Sequence, residues 1–406
     1  EDALLVMWKK YRQEYLDACL ILDGCGRHNG HCASAACQRS GATFRCRDCF
    51  GYRLYCKACI IECHHNQPLH ILEEWKNSFF HRTTLQNLGL RMQLGHQSWS
   101  SCSFCHQGHK DFVVLHTNGI HSIDIDFCGC NGAPTPCKQL LEAGWWPSTP
   151  LEPQSAVSMA VLRSFHILNL QGQISLTDFY RSLEQMTVGN GLSDVPDCLA
   201  QWMIMVHEWR HIKMAKHAGC GHDPTGIEGM SQGRLSIPFR VCPLPNMNLL
   251  EQWEDAPPEK QWLYALILSE NANFKQKARL CSDNVKDPPL GPSWGTFVEN
   301  KTYLKHVAQY TDQDEISHCV GFEALWKANN KKSKGLRATG VGSVSCARNQ
   351  MYRPNSMGDL QKGERYVTMF LWVFLLLMVA PQIFKYGLFI LCKCNWNCYP
   401  IHHPFV

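Results

Sequence analysis

Residues 32–70 read CASAACQRSGATFRCRDCFGYRLYCKACIIECHHNQPLH, and their spacing decides the amino-terminal fold. The cysteines fall as Cys32-x4-Cys37, Cys46-x2-Cys49 and Cys56-x2-Cys59, followed by His64 and His70. A tetrahedral zinc takes four nitrogen or sulfur ligands, and a C-x2-C knuckle supplies two of them from one tight turn. Four ligand pairs therefore suit two ions. A cross-braced arrangement gives pairs one and three to one ion and pairs two and four to the other. That predicts Cys32, Cys37, Cys56 and Cys59 at the first zinc, and Cys46, Cys49, His64 and His70 at the second. Cys63 and His65 adjoin the last pair and could stand in for His64. The bland alternative for the whole set is reduced structural cysteines or disulfides.

A second cysteine pattern follows downstream. Cys102-x2-Cys105 precedes DFVVLHTNGIHSIDIDF, which ends at Cys128-x-Cys130. Alternating apolar residues on both sides of Asn118-Gly119 signal a β-hairpin. A hairpin returns the chain to its start, so a third zinc is expected on Cys102, Cys105, Cys128 and Cys130, in ribbon geometry. The alternative is that Cys128 and Cys130 are ordinary core thiols; His106, His109 and Cys137 are reserve ligands. Four protein ligands close a zinc site and leave no position for a reactive water, so all three sites are expected to be structural.

The composition supports metal over disulfides. Fourteen of the 23 cysteines lie before position 138, within a chain of 406 residues. A secreted disulfide scaffold would need an export signal, and Lys9, Lys10, Arg12, Glu14 and Asp17 interrupt any apolar core of one in residues 1–24. Charged residues make up 18% of the chain and the net charge is only +4, which excludes a uniformly basic nucleic-acid coat.

The rest of the chain divides by texture. Residues 1–24 place Leu4, Trp8, Tyr11, Tyr15, Cys19 and Ile21 near helical spacing, a lead-in helix expected to serve packing. Residues 25–150 hold the cysteine cluster, and the proline-rich 145–153 marks its end. Residues 151–260 read mainly helical, with Trp209 and His211 expected as packing or surface residues, not ligands. In 261–366, WLYALILSENANF and ATGVGSVSCA look like buried strands. Residues 367–392 are almost wholly apolar and long enough for one membrane-spanning helix, despite Pro381 and Lys385 inside. Seven cations and no acids occupy 327–353, a candidate phosphate-binding stretch centred on Lys331, Lys332, Lys334 and Arg337. Arg45, Arg47, Arg53 and Lys57 cluster between the knuckles as a second, smaller contact face.

Specific motifs resemble a known family. FRCRDC (44–49), PLHILEEW (68–75), GHKDFVVLHTNGIHSIDIDFCGC (108–130) and QLLEAGWWPSTP (139–150) resemble the CxC-type-2 cysteine cluster domain associated with KDZ (Kyakuja–Dileera–Zisupton) transposases. The likeness continues in DFYRSLEQMT, in EDAPPEKQWLYALILSENANF and in KSKGLRATGVGSVSCARNQMYRPNSMGDLQKGERY, so it runs over residues 10–366. It implies a cut-and-paste transposase with an RNase H-like nuclease, acidic metal ligands and a nuclear, DNA-associated life. Such nucleases position two divalent cations between converging carboxylates. The family usually carries an Asp where this chain has Asn271, and another where it has Phe370. A neutral amide cannot supply the charge that holds such a metal. Glu270 is adjacent, but a one-residue step on a strand turns a side chain to the other face.

The expected fold class is α+β: a zinc-stabilised cross-brace and ribbon module, a helical middle, a partial RNase H-like α/β region and a carboxy-terminal apolar helix. The expected function is that of a truncated transposase-like protein that binds zinc and DNA without catalysis, so no catalytic residues are assigned. Two other classes compete: an active nuclease using Mg²⁺ on non-standard carboxylates, and a single-pass membrane-tethered zinc protein with protein partners.

Overall fold

The structure, a computed structural model, describes residues 3–26, 30–37, 39–96, 102–189, 194–237, 239–244, 247–249, 251–273, 276–279, 288–291, 293–309, 336–360, 388–392 and 399–400. It divides into two compact units, Glu1–Arg210 and His211–Val406.

The first unit opens with helix α1 (Leu4–Asp23), none of whose residues is buried. The expected helix is therefore there, but the packing role assigned to it is not. Strand β1 (Phe44–Cys46), helix α2 (Lys57–Cys63) and strands β2 (Leu72–Lys76) and β3 (Phe79–Thr83) follow. The three strands form an antiparallel sheet in the order β1-β2-β3. Its core is small: Phe44, Ile60, Leu72, Leu85, Leu88 and Leu90 cluster against Cys46. A core of this size stabilises little by itself.

A six-stranded sheet comes next, from β4 (Arg91–Gln93), β5 (Cys105–Gln107), β6 (Phe112–His116), β7 (Gly119–Cys128), β8 (Trp145–Pro147) and β9 (Ser155–Ser158), with helix α3 (Pro136–Glu142) between β7 and β8. The order is β4-β7-β6-β9-β8, and β5 also pairs with β7. The expected hairpin is β6–β7, with His116 opposite Gly119, so Thr117 and Asn118 form the turn. Gly119 has a positive φ of 141° and a Cβ there would come within 2.8 Å of Thr187 Oγ1, so close approach holds this position to glycine. Strand β6 is buried on both faces: Phe112 and Val114 enter one core with Ile123, Ile125 and Leu140. Val113 and Leu115 enter the other, because successive strand side chains point to opposite sides. The proline-rich 145–153, expected to mark a boundary, contributes β8 to this sheet.

The second core is closed by helices α4 (Met159–Gly172), α5 (Leu176–Thr187) and α6 (Leu199–His217). Ser158 and Ser175 cap α4 and α5, each accepting from the backbone N–H three residues on. Val161, Phe165, Phe179, Tyr180, Trp202 and Met205 fill the space between helices and sheet. Trp209 packs on the rim of this core, a packing position.

The second unit holds β10 (Leu266–Asn273), β11 (Ala278–Arg279), α7 (Asn300–Gln309), β12 (Leu336–Ala338), β13 (Gly340–Cys346), β14 (Tyr352–Leu360), β15 (Leu388–Cys392) and β16 (Tyr399–Pro400). Five strands form a mixed sheet, β14-β13-β10-β15-β16. Strand β10 lies at its centre, antiparallel to β13 and parallel to β15. Both apolar runs expected as strands are in it. His211 stacks on Trp294 with ring centroids 6.0 Å apart.

The apolar tail is corrected here. Residues 388–392, assigned above to a membrane helix, form a strand beside β10. The remaining expectation, 367–387, lies outside the described residues. Among the described residues no helix is long and apolar enough to cross a membrane. The physical reason for the error is that a continuously apolar strand inside a sheet, here parallel to β10 and antiparallel to β16, matches a helix in hydropathy.

Candidate metal centres

Local structure brings distant thiols together in three places. In the first, Cys56 caps α2 and Cys59 lies in its opening turn. Cys32 and Cys37 arrive from the preceding loop, and the Cys56 N–H donates to Cys32 Sγ at 3.4 Å. Cys37 Sγ lies 3.8 Å from Cys56 Sγ. The Cys59 backbone N–H, with neighbouring thiols, lowers the Cys56 thiol to about 7. The four sulfurs all lie within 4.8 Å of one another.

The second group joins the end of β1 to the far end of α2. Cys46 Sγ lies 3.4 Å from His70 Nδ1, and Cys49 Sγ lies 3.4 Å from His64 Nε2. His64 is buried, and its Nδ1–H donates to the Ile60 carbonyl at 2.8 Å. A carbonyl can only accept, so the proton sits on Nδ1 and the Nε2 lone pair faces the thiols, the orientation a metal-binding histidine takes. Burial lowers the pKa of both His64 and His70, favouring the neutral imidazole that binds metal. Cys46, Cys49, His64 and His70 fall within 4.8 Å of one another, while Cys63 is exposed outside the group and His65 is not in it.

The third group differs from expectation. It contains Cys102, Cys128 and Cys130, but its fourth member is His96. His96 Nε2 lies 3.0 Å from Cys128 Sγ, and Cys102 Sγ lies 3.6 Å from Cys130 Sγ. Cys105 is exposed on β5 and its thiol is not in the group. Sequence spacing missed His96 because no second ligand stands beside it; the nearest cysteine, Cys102, is six residues on. The signal was Gly95. Its φ is +75°, and a Cβ there would come within 2.6 Å of Gln139 Oε1 and 2.7 Å of Cys128 Cβ. Glycine alone lets the chain pass this close and deliver His96. Gln139 secures the other wall, accepting from Cys128 N–H and donating to Cys128 O, each at 2.9 Å.

One network ties the second group to the turn of the β6–β7 hairpin. Asp48, between the second knuckle's cysteines, accepts from Ile71 N at 2.6 Å and from Asn118 Nδ2 at 3.0 Å. Asn118 is the hairpin turn residue, and its Oδ1 lies 2.8 Å from His121 Nε2. Burial drives the pKa of His121 down to about 3, so this imidazole is neutral and donates to Asn118.

The candidate phosphate contacts are placed less favourably. Lys331, Lys332 and Lys334 lie outside the described residues. Arg337 is ion-paired to Asp359 at 3.3 Å. Arg45 is buried, bonded to Glu73 at 2.7 Å and stacked over Phe80 at 3.5 Å, so it is structural and not part of a contact face. On the central strand β10, Glu270 is buried while Asn271 is exposed, in keeping with opposite faces.

Two family models match the chain: the CxC2 like cysteine cluster associated with KDZ transposases over residues 85–191, and the Kyakuja-Dileera-Zisupton transposase over residues 264–400. The cluster match starts later than the resemblance seen in the sequence, so it takes in the His96 group but not the two groups within 32–70. The transposase match runs past residue 366 and includes β15, which corrects the expectation that the likeness ends there. No curated protein and no solved structure matches the chain.

Proposed function

Since the chain is KDZ transposase-like, we propose that it is a transposon-derived, zinc-scaffolded protein that associates with DNA and does not cut it unaided. The observation that carries this reading is the convergence of three four-residue Cys/His groups in a chain with both family matches. The donor sets suit zinc: four thiolates, two thiolates with two imidazoles, and three thiolates with one imidazole. With no site left open for water, the ions would hold the fold and leave chemistry elsewhere.

Charge favours the second unit for the DNA contact. Residues 1–210 hold 17 Lys/Arg against 19 Asp/Glu, while residues 211–406 hold 22 against 16. Nine bound thiolates and three zinc dications would lower the first unit by three further charges. Phosphate binding needs cations, so the cysteine unit is electrostatically the wrong side for it. The lysines of 327–334, a stretch without acidic residues, are the strongest candidates in sequence.

The second unit's strand order supports an RNase H-like reading. A central first strand, the next two strands added antiparallel in turn on one side, then a parallel strand on the other is the order such a sheet takes. Asn271 at the position of the expected acid argues for lost cleavage. The location consistent with this function is the nucleus.

The test is duplex binding by the full zinc-loaded chain across a range of salt. Each neutralised phosphate contributes about 0.9 to the slope of log K against log salt. Replacing Lys331, Lys332 and Lys334 with glutamine is expected to reduce that slope by roughly 2.7. An unchanged slope would move the contact away from this segment, and absence of binding at low salt would remove DNA from the reading. Mg²⁺-dependent strand cleavage by the same material would overturn the assignment as inactive.

A further inference from the structure

Helix α1 has twenty residues, none buried, with no side chain capping its amino end and no acid in its first turn. In proteins most helical stability comes from packing an apolar face and not from intrinsic propensity. Its helicity therefore calls for a packing partner. Leu4, Trp8, Tyr11, Tyr15, Ala18 and Leu22 recur at spacings of four and three, the heptad seam along which two helices pack. All six are exposed; Trp8 is 45% accessible, Tyr11 54% and Tyr15 58%. The Trp8 and Tyr15 rings lie 6.0 Å apart, which places them on one face. Leu5, Val6, Met7, Leu16, Leu20 and Ile21 are exposed too and stay outside the seam.

The helix is fixed to the metal-bearing module at its far end. Arg45 Nη1 donates to the Leu22 carbonyl at 2.5 Å and to Gly24 O at 3.4 Å. Arg45 is itself held by Glu73 and Phe80. The seam is thus presented from the folded module and is not on a loose terminus.

We propose that α1 pairs antiparallel with α1 of a second copy of this chain. The order of side-chain sizes along the seam selects both the partner and the direction. Antiparallel pairing sets Leu4 against Leu22, Trp8 against Ala18 and Tyr11 against Tyr15 of the other copy. The largest side chain then meets the smallest, the match that close packing rewards. Parallel pairing would set Trp8 on Trp8 and leave Ala18 facing Ala18, crowding one layer and hollowing another.

Sedimentation equilibrium of the full zinc-loaded chain tests this. Wild type is expected to form a reversible dimer. Trp8→Ala leaves two alanines face to face, and Ala18→Trp sets two tryptophans against each other. Each alone is expected to weaken the dimer about tenfold or more, and the Trp8→Ala/Ala18→Trp double variant to recover to within about threefold, because the exchange restores the large-small pair across the seam. Tyr11→Glu with Tyr15→Glu is expected to give a monomer with unchanged zinc content. A wild-type monomer at every concentration, a dimer indifferent to the glutamates, or a double variant no better than the singles would overturn the proposal.

Discussion

Cys56→Ser is expected to remove the cooperative unfolding of residues 30–96, and exhaustive chelation of the wild-type chain to do the same. Cys56 is buried at the start of α2 and belongs to the first four-sulfur group. A structural zinc contributes on the order of 10–16 kcal/mol to folding, as much as or more than the roughly 5–15 kcal/mol that holds a whole domain folded. The loss would spread, because α2 carries the first group at one end and positions His64 of the second at the other. The apolar cluster around Ile60 is too small to replace either ion. Calorimetry and far-ultraviolet circular dichroism report the outcome. Cys63→Ser is the matched control, since that thiol is exposed and outside every group; it is expected to leave the scan unchanged. An intact transition in Cys56→Ser would show that the region folds by other means.

His96→Ala is expected to cost the chain one zinc ion, and Cys105→Ser none. The contrast separates the observed group from the ribbon set Cys102, Cys105, Cys128 and Cys130 that spacing alone suggests. In His96→Ala three thiolates would remain with an open fourth position, and metal affinity would fall by at least the 10–100-fold that even a supporting partner contributes. Cys105 should meanwhile react with a thiol reagent in the folded, metal-loaded protein, because it is exposed and holds no metal. Loss of zinc from Cys105→Ser with His96→Ala unaffected would reinstate the ribbon assignment.

Much of this architecture can be read from the residues, and the exceptions have physical reasons. The cross-brace pairs are legible because a knuckle writes two ligands at fixed spacing and closes within one turn. His96 is not, since its proximity to Cys128 arises from the parallel pairing of β4 with β7, a relation between segments far apart in sequence. The β6–β7 hairpin announces itself by alternation, whereas β8 hides in WWPSTPLEP because prolines usually mark a chain break. Residues 388–392 misled through hydropathy, which measures burial and not backbone geometry. The α1 periodicity is plain in sequence; that none of its side chains is buried among the described residues is visible only once the fold is known.

The account rests on metal in the amino-terminal unit, and elemental analysis of freshly purified full-length chain measures it directly. Three zinc ions per chain are expected, one for each converging group, falling to two in His96→Ala. A folded, monodisperse protein that carries no stoichiometric zinc would contradict the account.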